Sequence, residues 1–268
     1  MSTNAKGTAL ITGASSGIGA VYADRLARRG HDLLLVARNE VRLHAVADRV
    51  SRETGRSIGV LVADLANPGE SGRVEHELRT NTDIAMLVNN AGVGATAPLL
   101  GSDIGAMSAM IDINVHALTR LTYAAVPNFV ERGGGTIINV SSIVAISPEI
   151  LNGVYGGSKA FVLAFSQSLK HELSDKGIRV HVVIPGATAT DFWDIAGRPL
   201  AQLSEQIVMS AEALVDASLA GLDQGEFVTI PSLPNSADWD AFEAARQALR
   251  PNLSHSEPAA RYGVARNR

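Results

Sequence analysis

Thr12-Gly13-Ala14-Ser15-Ser16-Gly17-Ile18-Gly19 stands between a short apolar run, residues 8–12, and a stretch of helical periodicity, residues 17–29, that Gly30 closes. Gly13 permits a tight turn, Gly17 lets backbone come close to a bound group, and Gly19 lets the following helix lie against its neighbours. The start of that helix offers unpaired N–H groups and partial positive charge, the environment a pyrophosphate prefers. A plain strand-to-helix turn is the competing reading, and the rest of the chain has to decide between the two.

Outward from the turn, short aliphatic runs alternate with longer helical ones. Strands are expected at 33–37, 58–63, 84–89, 136–141, 180–184 and 227–230, and helices at 40–53, about 70–79, 106–132, 155–174 and 212–222. Pro127 should kink the long central helix or open its last turn. Near-continuous apolar strands separated by helices make a parallel sheet covered on both faces. The expected fold is therefore α/β, a single-domain Rossmann-type doubly wound sheet of about seven strands with helices on both faces. Residues 1–234 form the nucleotide-binding and catalytic domain in this reading. Residues 235–268 lose the rhythm and form an extension or tail, with one short helix at 238–249. Ligands on such sheets bind beyond the carboxyl ends of the strands, where strand order reverses.

The totals exclude several classes. With no cysteine, there is no disulfide framework, thiolate nucleophile or cysteine-held metal. The net charge of −4 is spread without a basic block, so nucleic acid is not an expected partner. The polar stretch before Gly7 lacks the apolar core of a signal peptide, and no run is long and apolar enough for a membrane helix. A cytoplasmic protein is expected. The seven histidines are scattered without metal-ligand spacing, and no catalytic metal is expected.

Four further motifs follow strands. Asp64-Leu65 ends the third and Asn89-Asn90-Ala91-Gly92 the fourth. Ser142 follows the fifth, thirteen positions before Tyr155-Gly156-Gly157-Ser158-Lys159. Pro185-Gly186-Ala187-Thr188-Ala189-Thr190 follows the sixth, and Asn114 lies within the central helix. Tyr155 and Lys159 are four apart, so on a helix they share a face. Each motif alone has a plainer explanation: a helix cap at Asp64, an Asn-Gly turn, a solvated Tyr–Lys pair, a loop leaving a strand.

Together with T-G-x-x-x-G-x-G at 12–19 they resemble the short-chain dehydrogenase/reductase family, in its standard-length NADP(H)-preferring branch, over roughly residues 8–230. The resemblance implies an NADP(H)-dependent oxidoreductase that moves a hydride between a carbonyl and an alcohol. Tyr155 would be its proton donor and acceptor, and Ser142 would polarise the substrate oxygen, with Ser141 as the alternative serine. Lys159 would lower the phenol's pKa from its free value of about 10 and bind the nicotinamide ribose. Asn114 would perturb its helix and hold a relay water. Gly13, Ser15, Ser16, Gly17, Ile18 and Gly19 would cradle the cofactor phosphates. Asp64 and Leu65 would meet the adenine, and Asn90, Ala91 and Gly92 the adenosine ribose side. Pro185, Gly186, Thr188 and Thr190 would border the nicotinamide.

NADP(H) rather than NAD(H) is read from the second strand, whose end carries Ala37 and then Arg38 where an NAD-binding member would carry an acid. A guanidinium suits a 2′-phosphate. The glycine turn itself, with Ser15 and Ser16, lacks the basic residue that many NADP-binding members carry there. Phe192, Trp193, Ile195 and Leu200 are read as an apolar cover over the nicotinamide, with Phe192 and Trp193 at the substrate. Val144, Ile146, Ile150 and Leu151 make a second apolar wall. His171 and Glu172 should be solvated. Pairing of copies through the helices at 106–132 and 155–174, as a homodimer or homotetramer, would use Ala160, Phe161, Ala164, Phe165 and Leu169. Two other functions stay open: a silent NADP(H)-binding sensor, and an epimerase or dehydratase on a sugar nucleotide, for which the residues after Ile230 are too few.

Overall fold

The computed structural model describes residues 6–264; the polar leader before Lys6 and the last four residues lie outside them. In chain order the elements are β1 (Thr8–Thr12), α1 (Gly17–Arg28), β2 (Asp32–Ala37), α2 (Glu40–Thr54), β3 (Ile58–Val62), α3 (Pro68–Thr80), β4 (Ile84–Asn89), α4 (Ile104–Ile111) and α5 (Leu118–Glu131). There follow β5 (Gly135–Val140), α6 (Gly153–Leu173), β6 (Ile178–Val183), β7 (Thr188–Ala189), α7 (Phe192–Ile195), β8 (Met209–Ser210), α8 (Ala211–Gln224), β9 (Val228–Thr229) and α9 (Ser236–Ala248).

Seven strands form one parallel sheet in the order β3-β2-β1-β4-β5-β6-β9. The order reverses between β1 and β4, and the crevice outside their carboxyl ends is where such sheets take ligands. The strands are apolar along most of their length because both faces are covered. On one face Tyr22, Leu26, Leu43, Leu214 and Leu219 bring α1, α2 and α8 onto the sheet. On the other, Val74, Leu78, Leu121, Phe129, Leu169 and Leu173 bring α3, α5 and α6.

Local chemistry sets the helix ends. Asn39, Asn67, Asn152 and Ser210 accept backbone N–H groups as N-caps of α2, α3, α6 and α8. Gly55 and Gly225 close α2 and α8 in the left-handed region, at φ 68° and 82°.

Three expectations are corrected. The central helix does not break at Pro127, since α5 runs on through it to Glu131; it departs from α-helical bonding at a π-helical turn, Asp112–Ala117, where the resemblance implied a perturbation by Asn114. The last strand is only Val228–Thr229, shorter than the 227–230 read from its apolar run. Leu169 is core, 7% exposed, and does not serve a surface between copies. The loop after β6 also holds an unforeseen device: β7 and β8 pair in parallel, closing the base of an excursion across residues 190–208.

The described chain divides into two compact units, one ending at Pro231 and one beginning at Ser232. The second consists of α9 and short turns, with Trp239 and Phe242 packed ring on ring at 5.4 Å. Among the described residues no helix is long and apolar enough to cross a membrane.

Candidate active site

The two glycine-bearing strand ends, after β1 and after β4, are tied into one piece. Thr12, at the end of β1, is buried, and its hydroxyl accepts the N–H groups of Asn90 and Ala91, each at 3.0 Å, while donating to Val88 O at 3.2 Å. The Asn90 side chain donates to Thr12 O at 2.9 Å and Gly13 O at 3.3 Å. A Cβ on Gly19 would run into Gly13 O and sit 2.6 Å from Asn90 Nδ2, so only glycine fits where α1 passes the switch point. Beneath it, Asn89 donates to Asn139 Oδ1 at 2.9 Å and Thr122 Oγ1 at 3.2 Å, bracing β4 against β5 and α5.

The start of α1 differs from those of the other long helices that begin at a loop; α5 also lacks a side-chain cap, but it continues from the π-helical turn. α2, α3, α4, α6, α8 and α9 each carry a side-chain N-cap; Ser16, at the N-cap of α1, makes no side-chain cap bond, and the first turn holds no acid. Those N–H groups face the crevice beside Gly17 with no protein side chain on them. A helix start of this kind can accept an anion, and the turn Ser15–Ser16–Gly17–Ile18 leads into it. At its far side Thr190 places its methyl where a Cβ on Gly17 would be 3.0 Å away.

The second cluster lies beyond β5, where Ser142 and Tyr155 are 8% and 6% exposed and Lys159 is 6% exposed. Ser141 turns away and donates to Lys159 O at 2.9 Å, which leaves Ser142 as the serine whose hydroxyl acts on the Tyr155 phenol. Burial pushes the phenol up to about 12, with the Ser142 bond pulling the other way. Burial pushes Lys159 down to about 8, and its ammonium donates to Val140 O at 3.0 Å. This departs from the expectation that Lys159 lowers the phenol's pKa. Here both groups have lost water, which disfavours the charged form of each, and the ammonium is turned to a carbonyl.

Asn114 sits in the π-helical turn. Its amide donates to Val93 O at 2.9 Å and Ser158 Oγ at 3.0 Å, and its carbonyl accepts Val93 N–H at 3.0 Å. The wider turn lets one side chain lace the segment after β4 to α6. A Cβ on Gly92 would lie 3.1 Å from Asn114 Oδ1 and 3.3 Å from Lys159 Nζ, so both polar atoms crowd the same glycine.

Above Tyr155 lies the excursion between β7 and β8. Phe192 packs on Tyr155 with ring centroids 5.6 Å apart, and its ring occupies the space a Cβ on Gly94 would need. Met107, Met110, Val144 and Leu151 complete an apolar wall around the phenol. Some expected cover residues do not belong to it. Trp193 is buried beneath the excursion, its indole donating to Thr188 O at 3.0 Å, because that N–H needs a partner once buried. Ile195 and Ile150 are 68% and 53% exposed and are not packed into the apolar cluster around the phenol. His171 and Glu172 are exposed.

At the other end of the crevice Arg38 is exposed beside Asp64, 3.9 Å away. Asp64 caps its own turn through Ala66 N at 3.0 Å, and Leu65 packs into the core beneath it. Pro185 O accepts Ile143 N–H at 2.9 Å, and Thr188 donates to Gly186 O at 3.2 Å. Thr12, Ser158, Gly94, Arg42 and Asp191 also shape the site and were not singled out from the sequence. Thr12 was legible as the first residue of the glycine motif; the others carry no local pattern. Among the described residues no group of three His, Asp or Glu side chains is placed to hold a metal ion.

The family model described as short chain dehydrogenase matches residues 7–198. A very-long-chain 3-oxoacyl-CoA reductase of Anas platyrhynchos is 35% identical over 189 residues, 68% of this chain. The chain spans only 60% of that relative's length. Among solved structures, a short-chain dehydrogenase from Sphingobium yanoikuyae in complex with NADPH is 47% identical, covers 94% of this chain and 98% of its own, and superposes with a TM-score of 0.92. A bulky-bulky ketone specific alcohol dehydrogenase from Comamonas testosteroni is 42% identical over 96% of this chain and 98% of its own, with a TM-score of 0.88.

Proposed function

The chain belongs to the short-chain dehydrogenase family, a family of oxidoreductases, and from that premise we propose that it interconverts a bulky, largely apolar ketone and its alcohol with NADP(H), Tyr155 moving the proton. The observation that carries this reading is the Tyr155 phenol buried beside the Ser142 hydroxyl, with Lys159 one helical turn along, beyond the carboxyl end of β5.

The residues suit the cofactor at three points. The uncapped start of α1 would take the pyrophosphate, exposed Arg38 the 2′-phosphate, and Thr190 with Lys159 the nicotinamide end. When bound, NADPH supplies the hydride that the carbonyl carbon receives. Ser142 and Tyr155 both donate to the carbonyl oxygen and draw its charge. With a pKa near 12 the phenol keeps its proton at neutral pH, so in the reducing direction it is the acid, and its proton goes to the oxygen as the C–O π bond breaks. The phenolate left behind regains a proton from solvent by way of Lys159, one helical turn along. Asn114 holds the segment after β4 against α6, so that Gly92 and Lys159 keep their places.

Met107, Met110, Val144, Leu151 and Phe192 exclude water around the phenol, which supports an apolar substrate, as does the similarity to the Comamonas enzyme. Tyr123, 68% exposed, stacks on Phe165, which stacks on Phe161. That aromatic run across α5 and α6 supports a contact between copies, as a dimer or tetramer.

The test is nicotinamide oxidation over a panel of ketones, with the protein, Tyr155→Phe and Arg38→Leu, each given NADPH and NADH. Turnover with NADPH should vanish in Tyr155→Phe. Arg38→Leu should raise the KM for NADPH about 10- to 100-fold while leaving NADH alone. Tight NADPH binding without turnover on any ketone would favour the silent sensor, and turnover with NADH alone would overturn the cofactor assignment.

A further inference from the structure

Asp191 breaks a local rule. It occupies the N-cap position of α7, where an aspartate ordinarily accepts the helix's own first N–H groups, yet it makes no side-chain cap bond. Its carboxylate instead reaches Arg42 Nη1 at 2.7 Å, across 149 positions of sequence. Arg42 is set by its own helix: its backbone N–H is held by Asn39 Oδ1 at 3.0 Å, in the first turn of α2. The first N–H of α7, on Phe192, is accepted by Thr190 Oγ1 at 3.4 Å, which leaves the Asp191 carboxylate available for its tertiary contact.

The neighbours of Asp191 give the contact its meaning. Thr190, on one side, lies against Gly17 in the glycine turn. Phe192, on the other, lies on Tyr155 and over Gly94. Fixing Asp191 therefore fixes one contact with the phosphate cradle and one with the proton donor. Farther along, the excursion is tied by Thr96, whose N–H and hydroxyl donate to Ala196 O at 3.1 and 2.9 Å. The root has the ion pair.

We propose that Arg42 and Asp191 are positioning residues, an ionic clasp that holds the root of the 190–208 excursion down so that Phe192 stays seated on Tyr155 and closes the ketone pocket. The inference rests on the oxidoreductase reading for its consequence, and on the geometry alone for its existence. Both side chains are more than half exposed, 58% and 57%. An exposed pair of this kind shifts an equilibrium by a factor of about 5 at most.

The test uses the full chain with Trp239→Phe, which leaves Trp193, under the excursion, as the single tryptophan. Arg42→Gln and Asp191→Asn should each make Trp193 more accessible to acrylamide. Each should raise the KM for ketone about 3- to 5-fold with kcat within about twofold, the pattern of lost closure in the ground state. The exchange Arg42→Asp with Asp191→Arg should restore most of both. At about 1 M salt the difference from the parent should shrink towards nothing. The clasp is overturned if both variants match the parent in quenching and KM. It is also overturned if Arg42→Gln weakens NADPH binding while Asp191→Asn does not, which would make Arg42 a cofactor ligand. Trp193 quenching decides the clasp even if no ketone is turned over, so the two readings fail separately.

Discussion

Replacing Gly94 by alanine should unseat Phe192 from Tyr155 while leaving the fold intact. Gly94 is not among the glycines with positive φ, so the backbone accepts a side chain there. The added Cβ would lie 2.6 Å from Phe192 Cε2 and nearer still to Cζ. Apolar carbons rest about 3.5–4.0 Å apart, so the ring tip has to retreat by at least about 1 Å. That retreat weakens the contact with Tyr155, now 5.6 Å between centroids, of a kind worth about 0.5–1.5 kcal/mol. It also admits water beside the phenol, and a misplacement of about 1 Å at a reacting centre can cost on the order of 100-fold. We expect kcat/KM for ketone reduction to fall about 10- to 100-fold. The melting temperature should stay within about 4 °C, since the strain falls on a half-buried loop and alanine lowers the entropy of the unfolded chain. The assay is NADPH oxidation by the parent, Gly94→Ala, Phe192→Ala and the double variant. Once the ring is gone the methyl has nothing to strike, so Gly94→Ala should cost little more in the Phe192→Ala background. If it costs as much there as in the parent, Phe192 does not mediate its effect and the closed pocket described above is wrong.

If Lys159 relays the proton that resets Tyr155, ketone reduction should lose rate as pH rises past about 8, because burial holds Lys159 near that value and only its ammonium form has the proton to give. Tyr155, near 12, stays protonated throughout that range. A kcat/KM profile flat to about pH 10 would refute this. Stability should fall on acidification below about pH 6.5, because burial lowers the pKa of His31 and His181 in the folded protein only. The unfolded chain then binds the extra protons first, so folding loses free energy as pH falls through that window. Melts at about pH 7.5 and pH 5 should show a smaller loss for His181→Gln, and an equal loss would put the effect elsewhere.

The two histidines show how unevenly a sequence displays its own contacts. Nothing around His181 marks it as the buried end of a chain that runs through Ser218 to Tyr22 and joins β6, α8 and α1. His171, ten residues earlier, reads as solvated and is exposed. The difference lies in which face of a strand or helix meets another element. Periodicity reveals that for apolar side chains, but a lone polar one has no period. The π-helical turn at Asn114 is similar: the residue was visible through its resemblance, but the turn depends on Val93 and Ser158 meeting its amide from two other elements.

What the sequence determined by itself was whatever has a short period or a fixed spacing. Apolar runs of strand length between helical stretches dictated a doubly wound parallel sheet. Glycines at 13, 17 and 19, two adjacent asparagines after β4, and the tyrosine–lysine pair at four positions marked the ends of the strands that face the crevice. Backbone geometry repeats over a few residues, so these features survive in a one-dimensional reading. Only the tertiary structure decided which serine faces Tyr155, where Lys159 sends its ammonium, that Trp193 lies under the excursion while Phe192 lies over the phenol, and that Asp191 forgoes its cap for Arg42. Each of those outcomes is a choice among partners distant in sequence, set by which groups lose their water together. For a lone polar side chain burial is a property of the packed molecule, and no local pattern encodes it.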